Sequence, residues 1–178
     1  SLLNEAEKKF PDNYQPNIEK ALLYNNHELY ESALVEQLKA KKKGAASEQF
    51  YEEIATSYGR IGDDKNALKI YEESYDKFYK SKNIYDNLGW MYFKIHNTKK
   101  GIDIVNEGLK KYPESSDLLM TLGTLYSDIW DYERSKKNYL DSINSSYNDF
   151  KSNSFRAICY YNVAILEHSF LYYENAFN

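Results

Sequence analysis

Small residues recur along this chain at a fixed spacing. Ala21, Ala55, Gly89 and Gly123 stand 34 residues apart, and three residues after each comes a tyrosine: Tyr24, Tyr58, Tyr92 and Tyr126. Ala33, Ala67, Gly101 and Ser135 repeat the spacing, as do Ala40, Ser74, Gly108 and Ser142. Between these two sets lie Gln37, Tyr71, Val105 and Tyr139, mostly large. Successive copies without insertion mean one supersecondary unit used again and again, each covering its neighbour's apolar face. The spacing suits two antiparallel helices. Their backbones approach closely only where side chains are small, and a large residue one turn away fills the groove beside each contact.

Composition agrees with helices. Seven Gly and three Pro in 178 residues are too few for the many tight turns of an antiparallel β architecture. A hydrophobic share of 42% is enough to pack a core. Boundary residues fall in the same frame. Ser47, Ser81 and Ser115 precede the first helices as candidate N-caps, and Asp63 or Asp64, and Asp131, can cap second helices. Pro113 follows Lys110 and Lys111, a helix exit with cations at the negative end of the dipole. The units therefore read 14–47, 48–81, 82–115 and 116–149.

These features resemble the tetratricopeptide repeat family. The unit 82–115 carries the resemblance through Tyr85, Leu88, Gly89, Tyr92, Gly101 and Pro113, and 48–81 through Tyr51, Ile54, Ala55, Tyr58, Gly62, Ala67 and Tyr71. The unit 116–149 matches at Leu119, Leu122, Gly123, Tyr126, Tyr132 and Tyr139, with Ser135 and Ser142 replacing the usual alanines. The unit 14–47 departs from the pattern, since Asn17 and Lys20 stand where apolar residues belong. Leu3, Ala6 and Pro11 fit residues 1–13 as the closing half of a preceding repeat. Residues 143–156, rich in Ser, Asn and Asp, read as an inserted loop plus a longer entry into the next helix. After a seven-residue slip, Tyr160, Val163, Ala164, Tyr173 and Ala176 fit a partial fifth repeat at 157–178. The expected fold over 1–178 is all-α, a right-handed α-α superhelix of antiparallel helix pairs, a piece of a longer array. Pentatricopeptide and Sel1-type repeats fit less well, because their periods exceed 34.

Several chemistries have no support. The net charge of −4 creates no field for phosphates, so a nucleic-acid partner is not expected. The short run Lys41, Lys42, Lys43 lies just before Gly44, where lysines complement a helix C-terminus. Cys159 is the single cysteine and reads as packing, and His27, His96 and His168 share no helical spacing, so neither a metal nor a cofactor is expected. No catalytic constellation is visible: Glu52 and Glu53 are adjacent, about 100° apart around a helix, and cannot flank one bond. No run of about 20 apolar residues is present to insert in a membrane. The first residues do not read as a signal peptide, which favours the cytoplasm, though the missing initiator Met leaves an upstream signal or anchor open.

In tetratricopeptide arrays the first helix of each unit lines a concave face. The resemblance puts Gln15, Ile18, Glu19, Leu22, Asn25 and Asn26 on that face, then Gln49, Glu52, Glu53, Thr56, Gly59 and Arg60, then Asn83, Asp86, Asn87, Trp90, Phe93 and Lys94, then Asp117, Met120, Thr121, Thr124, Ser127 and Asp128. Acids outnumber bases there. Trp90 and Phe93 beside Met120, ringed by Asp86, Asn87 and Asp117, would make an anchor pocket. The expected function is a non-catalytic scaffold that binds a basic or basic-aromatic peptide or protein segment through Glu52, Glu53, Asp86, Asn87, Trp90, Asp117 and Met120. Two alternatives are a regulatory or assembly arm of a larger polypeptide and a module that self-associates end to end.

Overall fold

The computed structural model of the chain describes residues 2–78, 80–148, 151 and 153–177, with the side chains of all of these except 148 and 172–177. All regular structure among the described residues is helical. Two compact units form, Ser1–Tyr79 and Lys80–Asn178. The first holds α1 (Leu2–Lys9), α2 (Gln15–Asn26), α3 (Tyr30–Lys42), α4 (Glu48–Arg60) and α5 (Asp64–Lys77). The second holds α6 (Lys82–Lys94), α7 (Thr98–Lys111), α8 (Ser116–Asp128), α9 (Tyr132–Asn148) and α10 (Asn153–Phe177). In the first unit α2 packs on α3, α3 on α4, α4 on α5, and α1 on α2. In the second, α6 packs on both α7 and α8, α7 on α8, and α9 on both α8 and α10. No described helix is long and apolar enough to cross a membrane.

One turn is built four times. Glu28, Gly62, His96 and Trp130, 34 residues apart, have φ of 59°, 82°, 59° and 63°. Each lies two residues past the last residue of a helix, and the following amide reaches back to a tyrosine carbonyl: Leu29 to Tyr24, Asp63 to Tyr58, Asn97 to Tyr92 and Asp131 to Tyr126, at 2.8–3.0 Å. The left-handed residue itself donates to the carbonyl three back. These are the paired bonds of a Schellman cap, which satisfy carbonyls left open at the helix end. Only Gly62 is a glycine, so three of the four turns place an L side chain where its Cβ is strained.

Helix starts are equally regular. Ser47, Ser81 and Ser115 accept from the amides of Phe50, Ile84 and Leu118 at 3.1, 3.4 and 3.5 Å. Asp63, and not Asp64, caps α5 through the Asn66 amide, and Asp131 accepts from the amide of Arg134.

The seam of small residues is tight. A Cβ added to Gly89 would lie 2.3 Å from Val105 Cγ2, and one on Gly108 would lie 2.8 Å from Tyr85 Cβ. One on Gly123 would meet the Tyr139 ring at 2.9 Å. Ser135 and Ser142, in place of alanines, remain buried because their hydroxyls donate to the carbonyls of Gly123 and Ser116, at 2.8 and 2.7 Å. Cys159 is buried beside Ser142, and burial pushes its thiol pKa up. That suits packing and not nucleophilic chemistry.

Two expectations need correction. The loop expected within 143–156 is helical over 143–148, where α9 continues, and α10 begins at Asn153. Buried Ile143 and Ser146 carry α9 onward, and the Ser146 hydroxyl donates to the Ile143 carbonyl at 2.6 Å. Second, α10 runs on as one helix and lacks the turn that a fifth helix pair requires. Its buried stripe of Cys159, Val163 and Leu166 faces α9, while Tyr160 is 55% exposed, not packed as a framework residue. The side chains of Tyr173 and Ala176 lie outside the described residues. Asn17, polar at a place where apolar residues belong, is fully buried. Its amide donates to Glu7 and Glu36 at 2.9 and 2.6 Å, and its carbonyl oxygen accepts from Lys43 at 2.8 Å.

Candidate functional site

The first unit opens a cavity of about 500 Å³ beside α4. Helical spacing puts Gln49, Glu52, Glu53, Thr56 and Arg60 on one side of α4, and all five line the cavity. Asn25, at the end of α2, and Tyr30, at the start of α3, form the opposite wall. The Gln49 amide donates to Glu53 at 3.4 Å. The Arg60 guanidinium stands over the Tyr30 ring, 5.8 Å from its centroid, which ties the end of α4 to the start of α3. Two carboxylates, two side-chain amides, the Arg60 guanidinium and the hydroxyls of Tyr30, Thr56 and Ser57 thus line a space with ample room for a long side chain. Sequence reasoning named Asn25 and five of the α4 residues but missed Ser57 and Tyr30, which lie outside the concave-face places.

The second unit treats its expected residues differently. Asp86 is not an open acid: it accepts from the Thr121 hydroxyl at 2.5 Å, bracing α6 against α8, and burial pushes its pKa up. Asp117 is flanked by Lys151 at 2.8 Å and Lys82 at 3.6 Å. Its charge is therefore balanced within the unit. Met120 is partly buried against the cluster of Tyr139, Val163 and Leu166, on α9 and α10. Asn87 is half-buried. Trp90 alone of this group stands out, 48% exposed, with its ring tilted 33° over Phe93 at 5.2 Å. A supported aromatic shelf remains, without the surrounding ring of free acids.

The short run Lys41–Lys43 does more than end a helix. Lys41 and Lys77 both hold Glu73, which also accepts from the Tyr51 hydroxyl at 3.1 Å. Burial works to raise the Glu73 pKa, but these hydrogen bonds outweigh it and leave it at about 2. The Glu7 carboxylate is likewise held at about 2, by Lys20 first and Asn17 second.

No family model matches the sequence, and no curated protein matches it. Solved structures do match in shape. MamA superposes with a TM-score of 0.73 at 15% identity, over 84% of this chain and 88% of its own. YrrB, described as a TPR protein with an unusual peptide-binding site, gives 0.70 at 15% identity over 98% and 85%. A tetratricopeptide repeat protein from Parabacteroides merdae gives 0.71 at 21% identity, over 88% of this chain and 60% of its own. At such identities the likeness speaks for architecture alone, and it agrees with the 34-residue frame of the sequence. The chain has the tetratricopeptide-repeat fold.

Proposed function

We propose that this chain is a non-catalytic interaction module that holds a segment of another protein, and that the cavity beside α4 takes a basic side chain of that segment. The cavity of about 500 Å³ carries the reading. Glu52 and Glu53 give it an acidic wall that outweighs the single Arg60 cation, which is already stacked on Tyr30, and Asn25 and Gln49 add carbonyl acceptors. Together these suit an ammonium or guanidinium on a flexible stem. Trp90 is a second station, within the other unit. A flat, half-exposed indole resting on Phe93 offers area at little entropic cost and suits an aromatic or arginine side chain. The peptide-binding site described for YrrB supports a peptide partner on this fold.

The test is a displayed random-peptide library panned on the intact chain. Enriched peptides should carry Lys or Arg, and the Glu52→Gln, Glu53→Gln double variant should bind them at least about tenfold more weakly, with its far-UV spectrum unchanged. Trp90→Ala should cost roughly 2 kcal/mol of the same binding. Enrichment of acidic or charge-free peptides, or binding indifferent to the double substitution, would exclude the α4 cavity. Self-association has one observation behind it. Ile158, Tyr161 and Ile165 are exposed along α10, and light scattering at rising concentration would reveal a dimer built on them.

A further inference from the structure

A second cavity, of about 320 Å³, opens at the turn from α2 to α3. It shares two residues with the α4 cavity, since Tyr30 and Arg60 line both. The stacked pair is therefore a partition, with Glu52 and Glu53 on one side and Glu28 and Glu31 on the other. Arg60 is the one cation among the described residues that line the two spaces. A single guanidinium cannot balance four carboxylates, so each cavity keeps an acidic surplus. The second cavity also has the apolar ledge that a long basic side chain needs. Leu29 and Ile61 are exposed in its wall, and a methylene stem laid along them leaves its charged head near the acids. The first cavity holds an open polar group. Ser57 lines it, is only 2% exposed, and has no side-chain hydrogen bond among the described residues. A buried hydroxyl without a partner is costly until a ligand N–H reaches it.

We propose that the second cavity is a further basic subsite, and that the partner segment presents two basic side chains, one on each side of the Tyr30–Arg60 partition. The pairing rests on the α4 reading, which seats the first of them beside Glu52 and Glu53. The partition makes spacing matter. One side chain cannot fill both cavities across a stacked ring and guanidinium. Adjacent residues of an extended segment point to opposite faces, whereas two with one residue between them point the same way, roughly 7 Å apart.

Fluorescein-labelled Gly-Ser peptides that carry one arginine, or two separated by none to three residues, test this on the intact chain by anisotropy. Two arginines with one residue between them should bind at least about tenfold tighter than one arginine, and adjacent arginines should not. Glu28→Gln with Glu31→Gln should abolish that gain. The same variant should keep its one-arginine affinity within about twofold, which reports an intact fold. Asp12→Asn with Asp76→Asn removes equal charge from residues that line neither cavity, and the gain should survive it. The proposal is overturned if the second arginine adds nothing, or adds the same at every spacing. It is overturned equally if the aspartate variant loses the gain as fully as the glutamate variant, because a long-range acidic field then explains it. One-arginine binding that needs Glu52 and Glu53, with no gain from a second arginine, sinks this subsite alone. Peptides indifferent to both pairs of glutamates sink the α4 reading with it.

Discussion

The recurring left-handed turn makes a quantitative claim. His96 has φ of 59° in the place where Gly62 has 82°. An L residue pays about 1–2 kcal/mol for this conformation, whereas glycine adopts it freely but loses about 0.5–1 kcal/mol more entropy on folding. The His96 side chain is exposed. His96→Gly should therefore stabilise the second unit by about 0.5–1 kcal/mol, equivalent to about 1–4 °C for a chain of this size. Gly62→Ala is the mirror experiment. A Cβ there meets nothing within 4 Å, so its cost of about 1 kcal/mol is purely that of the backbone. Urea unfolding followed by far-UV circular dichroism, with slopes compared to guard against a changed denatured state, reads both variants. If His96→Gly is neutral or destabilising and Gly62→Ala costs nothing, backbone strain does not govern these turns. Trp130 is a weaker test, because its ring also packs edge-on against Tyr132 at 6.0 Å, a contact that Trp130→Gly would remove.

Other outcomes follow from the packing and the charges. Gly108→Ala pushes a methyl to 2.8 Å from Tyr85 Cβ, an atom fixed close to its backbone, and should cost about 1–3 kcal/mol in thermal unfolding despite the better helix propensity of alanine. Ser142→Ala loses the bond to the Ser116 carbonyl and should cost about 1 kcal/mol by the same measurement. Glu7 and Glu73, both held at about 2 against an ordinary 4.5, stabilise the first unit fully above the unfolded value. That stability is lost as pH falls through the folded value, so the protection of α1 amides, taken relative to the intrinsic exchange rate at each pH, should fall between about pH 4.5 and 2 in wild type. In Glu7→Gln the α1 response over that window should vanish.

Much of this architecture is legible because it rests on local rules. Period, N-cap serines and small seam residues each act within one helix or one helix pair, and a sequence displays them directly. What the sequence conceals is which charges find partners across helices. Asp86 and Asp117 occupy the face that the repeat frame assigns them, yet Thr121 binds one and Lys82 and Lys151 flank the other. Position on a helix cannot register a lysine that arrives from beyond α9. The fifth unit fails for a related reason. The spacing of small residues returns after the slip, but Tyr172 stands where Asp63 and Asp131 cap second helices, and spacing alone does not turn a chain.

Asn17 and Lys20 are the most informative case, because the sequence marks them as wrong for a core without showing why they are tolerated. A buried amide with three partners loses little by leaving water, whereas the same amide with one partner missing costs a full desolvation. The joint between α1 and α2 is thus conditional in a way that the apolar seams are not. Val105 against Gly89 holds under any charge state, while Asn17 and Lys20 accept only a helix that brings a carboxylate. A polar residue at a framework place therefore specifies its neighbour's chemistry, and a search for the complementary acid, here Glu7 ten residues upstream of Asn17, is the step that would find such a joint from sequence.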